Sequence, residues 1–152
     1  MKKPLYVSRH WSVREWDALK RSSNEYAWDN EHGRLCTNDE NTANLFKVLD
    51  TLRDWNKGWV VNTTRAGYKS GYRTPAVNRE VGGAANSWHI KGCAADIHNA
   101  MDYNASATAL FNTVMDAARA HGLENKINVG LYHREGWVHI EFVFKHTGHW
   151  DG

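Results

Sequence analysis

Most of what this chain lacks narrows its class. It has two cysteines, Cys36 and Cys93, which excludes a disulfide framework and leaves one bridge that the sequence does not establish. Two prolines and 12 glycines in 152 residues exclude collagenous and proline-rich low-complexity chains. No apolar run is long enough to span a bilayer, so the expectation is no membrane partner. The N-terminus, Met1 to His10, starts with lysines but carries no apolar stretch of signal-peptide length, so the expected site of synthesis is the cytoplasm without a signal of its own. Net charge is only +2, and the basic residues do not cluster. That is a poor nucleic-acid signature, and no nucleic-acid partner is expected.

What is present is an ordinary globular composition, 41% apolar and 24% charged, sized for a single domain over residues 1–152 and expected to be a monomer. Ser12-Val13-Arg14-Glu15 has capping-box spacing and predicts a short helix through about Arg21. Residues 22–44 are polar with little periodicity, which predicts a long surface connection up to about Asp39. From there Leu45, Val48, Leu49 and Leu52 recur at helical spacing, with Gly58 as the stop. Trp59 to Thr64 reads as a strand. Thr74-Pro75 opens a short helix that Gly82-Gly83 ends. Ala94 to His98 is a strand with Asp96 turned from the apolar side, and Asn104 is the expected cap of a helix striped by Leu110, Phe111, Val114, Met115 and Ala118. Asn128–His133 and Trp137–Phe144 form a hairpin, in which period-2 alternation sets His139 and Glu141 opposite Val138, Ile140 and Phe142. The fold class expected from this order is α+β, with helices packed on a small, mainly antiparallel sheet.

The chemistry concentrates in Ser70–His98 and in Trp137-Val138-His139. His89 and Asp96 are separated by six residues across Gly92, which lets the chain turn sharply. A histidine and a carboxylate need one more nitrogen to make the three-ligand, open-cornered set of a catalytic zinc. Cys93 lies inside this stretch and is expected to pack, since another soft ligand would close the open corner. In the tail, His146 and His149 are a conceivable second metal pair, with a frayed terminus the expected alternative.

Ser70-Gly71-Tyr72-Arg73-Thr74-Pro75, Asn78–Gly83, Ser87-x-His89-x-x-Gly92-x-Ala94-x-Asp96 and Trp137-Val138-His139 together resemble peptidase family M15, the zinc D-Ala-D-Ala carboxypeptidases and related murein endopeptidases. The resemblance implies a hedgehog/DD-peptidase-like fold and Zn2+ on His89, Asp96 and His139. It also implies hydrolysis of a peptide bond in stem peptides of bacterial peptidoglycan, in the setting of a phage or prophage endolysin that reaches the wall after release. It gives Arg73 a catalytic and substrate-binding role, with a structural salt bridge as the alternative. It makes Ser87 a substrate hydrogen-bonder or else a turn-forming hydroxyl. Trp88 and Trp137 flank the motifs and are expected as walls of the site. Family members carry an acidic base three positions before the last ligand, where this chain has Gly136, so Glu135 is the expected base, ahead of Glu141 and His133. Residues 65–69 look like a small insertion. Two other functions stay open on the same fold: a non-enzymatic zinc module and a virion protein that binds wall without cutting it.

Overall fold

The computed structural model describes residues 3–17, 25–64, 66–142 and 150–151. Strand β1 (Tyr6–Val7) is followed by a single helical turn, α1 (Val13–Trp16). The turn stops at Asp17, whose backbone is extended, so the helix expected to Arg21 does not continue past Trp16. Ser12 occupies the N-cap position without a side-chain bond to the backbone, and its hydroxyl instead lies 3.4 Å from Glu15 Oε1.

The expected surface connection is partly a sheet. Strands β2 (Ala27–Asp29) and β3 (Leu35–Thr37) pair antiparallel, and β1 adds to the other edge of β3. Asn30 builds the turn between them: its side-chain oxygen accepts from His32 N at 2.9 Å and Arg34 N at 3.0 Å. Strands of three residues are too short for alternation to show, and the legible signal was the Asn30-to-Gly33 turn flanked by aromatic and β-branched residues.

Helix α2 (Glu40–Trp55) begins where expected, with Asp39 accepting from Thr42 N at 2.9 Å. Leu45, Phe46, Val48, Leu49 and Leu52 are buried along it. It ends at Asn56, two residues before Gly58. Buried Asp50 accepts from Tyr6 Oη and Ser8 Oγ at 2.6 Å each and from Arg9 N at 3.0 Å, which fastens the N-terminal segment to α2. A buried carboxylate requires such partners.

Strands β4 (Trp59–Val61), β5 (Ala94–Asn99), β6 (Ile127–Tyr132), β7 (Trp137–Phe142) and β8 (Trp150–Asp151) form a second sheet in the order β4-β5-β7-β6-β8. All its pairs are antiparallel except β6 with β8. Between β4 and β5 lies α3 (Pro75–Glu80), whose N-cap Thr74 accepts from Val77 N at 3.1 Å. Helix α4 (Ala107–Ala120) is capped by Ser106, accepting from Ala109 N at 3.0 Å, and not by Asn104. Asn104 N instead bonds Asp102 Oδ1, so it belongs to the turn ahead of the helix.

Helices α2 and α4 cover one face of the large sheet. Val138, Ile140 and Phe142 point into that layer and are fully buried, as are Ile97 and Ala95 on β5. Each large aliphatic or aromatic side chain so buried contributes about 1.5–3 kcal/mol. Buried residues of both sheets and of α1, α2 and α4 join one apolar cluster. The fold is α+β, with helices on small antiparallel sheets. Both cysteines are buried and free, Cys36 in β3 and Cys93 just before β5. No described helix is long and apolar enough to cross a membrane. His146 and His149, and the end of the strand expected to Phe144, lie outside the described residues.

Candidate metal centre

With the apolar face of the sheet turned to the helices, the opposite face of β5 and β7 carries the polar side chains. Asp96 lies directly opposite His139 in the β5–β7 register, and Ala94 lies opposite Glu141. Directly opposed residues have Cβ atoms about 5 Å apart, so the register alone brings the carboxylate to the imidazole. Gly130 lies opposite His139 on β6 and sets no side chain against it.

His89 reaches the same place from a loop. Gly92, with φ of +71°, turns the chain from His89 back toward β5, and a Cβ there would meet Tyr26 Cβ at 2.7 Å. Both the dihedral and the close approach require glycine. The Ser70–Arg73 segment holds the loop by its backbone: Arg73 N donates to His89 O at 3.1 Å, and His89 Nδ1 donates to Gly71 O at 2.7 Å. That segment is itself pinned to the sheet, since Asp96 N donates to Ser70 O at 2.9 Å and Ser70 N to Asn62 O at 2.8 Å. The apparent insertion is a tight excursion, with Thr63 bridging Lys69 and Thr64 N bonding Tyr68 O at 2.7 Å, and it returns the chain so that Ser70 lies beside Asp96.

His89, Asp96 and His139 thus offer one ligand atom each within 4.8 Å of one another. Asp96 Oδ1 lies 2.7 Å from His139 Nδ1 and 3.5 Å from His89 Nε2. Corners of a tetrahedron with 2.0–2.1 Å metal–ligand bonds are about 3.3 Å apart, so the donors have the right spacing. The outer nitrogens are taken: His89 Nδ1 by Gly71 O, and His139 Nε2 by Glu141 Oε1 at 2.8 Å. Each bond fixes which nitrogen faces the centre, Nε2 of His89 and Nδ1 of His139. Glu141 Oε2 in turn accepts from Asn128 Nδ2 at 3.3 Å. Two nitrogens and one carboxylate, each already oriented by a neighbour, fit a zinc ion.

Electrostatics agree with that fit. Burial alone would raise the Asp96 carboxyl, yet His89 and His139 beside it hold it well below the usual carboxylate range. Burial pushes His89 down, keeping it neutral. His139 is opposed by burial but raised to about 9 by its bonds to Asp96 and Glu141.

Arg73 is buried beside the centre. Its Nη2 donates to Asp96 Oδ2 at 3.2 Å and its Nη1 to Asn78 Oδ1 at 3.3 Å. Asn78 Nδ2 donates onward to Ala84 O at 2.7 Å, so one amide clasps both the arginine and the loop leading to His89. The salt bridge expected as the alternative for Arg73 is therefore present, and Arg73 also lines a cleft. That cleft, of about 620 Å³, is bounded by Ser70, Arg73, Asp96, Glu135 and Trp137 among others.

The remaining expected residues fall in different places. Trp137 lines the cleft and stacks on Tyr132 with ring centroids 3.8 Å apart. Trp88 is 40% exposed and is not among the residues lining that cleft. Ser87 Oγ accepts from His89 N at 3.2 Å, the turn-forming arrangement. Glu135 lies in the β6–β7 turn, where Gly136 has φ of +72°. Ser70 and Asn78 stand in the sequence reading only as motif members, and Asn62 and Asn128 only as strand residues; the sheet register and the loop bonds show what each holds.

The family model described as Peptidase M15 matches residues 21–141. This chain belongs to the M15 peptidase family. No curated protein and no solved structure matches it significantly. The matched range contains the whole proposed ligand set, Arg73 and Glu135, and ends at Glu141, the residue that orients the last histidine of this M15 peptidase. Its class of activity is that of a metallopeptidase.

Proposed function

We propose that the chain is a zinc peptidase that hydrolyses a peptide bond in bacterial peptidoglycan stem peptides, as a phage or prophage endolysin acting on the wall after release. The observation that carries this reading is the His89–Asp96–His139 cluster, whose Asp96 lines a cleft together with Arg73 and Glu135. Zn2+ on those three residues supplies Lewis acidity toward water and toward the scissile carbonyl.

The protein's own groups account for the rest. Glu135 is the base: its carboxylate lines the cleft from the hairpin turn, takes the proton of the attacking water, and returns it to the leaving nitrogen. Glu141 is less suited to that role, because one of its oxygens accepts from His139 and the other from Asn128. Arg73 presents a planar fork, held by Asp96 and Asn78, to the substrate's carbonyl or carboxylate. Trp137 walls the cleft, with Ser87 and Trp88 on the loop beside His89. The protein acts as a monomer.

The test is clearing of permeabilised bacteria with and without chelator, followed by mass spectrometry of the digested wall. Clearing that stops with chelator, returns with zinc and releases cut stem peptides is expected. Zinc binding without cleavage would show a non-enzymatic module instead.

A further inference from the structure

We infer that the cleft continues into a second lobe that seats an ammonium-bearing side chain of the substrate peptide. The inference rests on the peptidase reading and specifies a side chain close to the cut bond. The lobe encloses about 610 Å³ and shares Asn62, Thr63, Glu135 and Trp137 with the cleft at the metal centre, so the two form one groove. Its other walls are His98, Asn99, Asp102 and Tyr103, with Gly136 at the turn.

His98 follows Asp96 by two residues on the same strand, hence on the same face and about 6.6 Å further along. Two residues of extended peptide cover that distance. The side-chain oxygen of Asn62 bonds His98 Nδ1. An amide oxygen only accepts, so Nδ1 carries the proton and Nε2 is left as an acceptor. Asp102 uses Oδ1 for Asn104 N at 3.2 Å, and Glu135 adds a second carboxylate. Among the described residues lining the lobe there is no lysine or arginine; Lys69 acts on His98 electrostatically but is not a lining residue.

Three donors of an ammonium group match this set of acceptors. The methylene stem of such a side chain has the Trp137 and Tyr103 rings to lie against. The other lobe differs by carrying a cation, the Arg73 guanidinium, which lies among Glu80, Asp96 and Glu135 and is placed for a carbonyl or carboxylate. The groove is therefore polar along its length, and it orders a peptide that carries an amine on one side of the scissile bond.

The test compares two stem peptides, L-Ala-γ-D-Glu-L-Lys-D-Ala-D-Ala and its Nε-acetylated form, by NMR titration of the full chain, with cleavage followed in the same samples. The free amine is expected to bind about tenfold or more tightly than the acetylated peptide. Asp102→Asn keeps the oxygen that Asn104 N needs and should erase the preference. His98→Leu, which removes Nε2, should reduce the preference as well. Equal affinities in the wild type, or a preference that survives Asp102→Asn, would overturn the inference. So would affinity that follows an attached muramyl sugar and ignores the amine. Wall cleavage without amine preference sinks the lobe and spares the peptidase reading, whereas amine preference without cleavage does the reverse.

Discussion

Asp96 and His139 stand on neighbouring strands, whereas His89 and Arg73 stand on loops, and the two halves of the centre are held by different forces. On the strand side, the β5–β7 ladder puts one ligand opposite the other, and Glu141 and Asn128 extend the same face. Its position is supported by the core beneath it, through Ile97, Val138 and Ile140. On the loop side there is no ladder. Gly92 turns the chain, and backbone bonds from Gly71 and Arg73, with the Asn78 clasp, keep His89 in place. The strand half is therefore expected to tolerate side-chain changes without loss of fold, and the loop half to be sensitive to changes of backbone.

The largest effect should come from removing a strand ligand. His139→Ala is expected to reduce peptidase activity to background and to lose zinc on dialysis, while circular dichroism shows the native fold, because the residues of the core face are untouched. Full activity in that variant would remove the metal centre from the mechanism. Next, Glu135→Gln should lower turnover by about 100- to 10,000-fold with zinc still bound. If Glu141→Gln has that effect instead, with zinc retained, the two carboxylates have exchanged roles.

Arg73→Lys keeps the charge but not the fork that spans Asp96 and Asn78, and should lower kcat/KM by about 10- to 100-fold. Wild-type kinetics would leave Arg73 with the salt bridge alone. Glu141→Gln should weaken zinc affinity by about 10- to 100-fold, measured by competition with a chelator, since His139 Nε2 loses its charged acceptor. On the loop side Gly92→Ala meets both a positive φ and Tyr26, and should cost about 1–2 kcal/mol of stability in denaturant unfolding. A Gly92→Ala chain as stable as the wild type would erase the distinction between the halves.

Much of the site was legible because its motifs are local in sequence. Spacing gave the His89–Asp96 pair and the need for a third ligand, the M15 resemblance supplied His139, and period-2 alternation on β7 turned His139 away from the core. The helix over Glu40–Trp55 was equally plain, since an apolar stripe of that length has few other readings. The three-stranded sheet was not legible from periodicity, because strands of two and three residues carry no measurable period, and the turn at Asn30 is the local feature that marks it. Neither was the end of α1 at Trp16, where the chain leaves the helix despite its capping spacing.

Composition and periodicity thus determined the α+β class and the two best helices, and the motifs, through their resemblance to the M15 family, the residue types expected at the metal centre. Tertiary structure alone decided which nitrogen of each histidine faces inward, since that depends on Gly71 and Glu141, which only folding brings to the rings. It also decided that Arg73 meets both Asp96 and Asn78. Residue type specifies what a side chain can donate or accept. Which partner it finds is fixed by strand register and loop closure, and these depend on contacts between residues far apart in the chain.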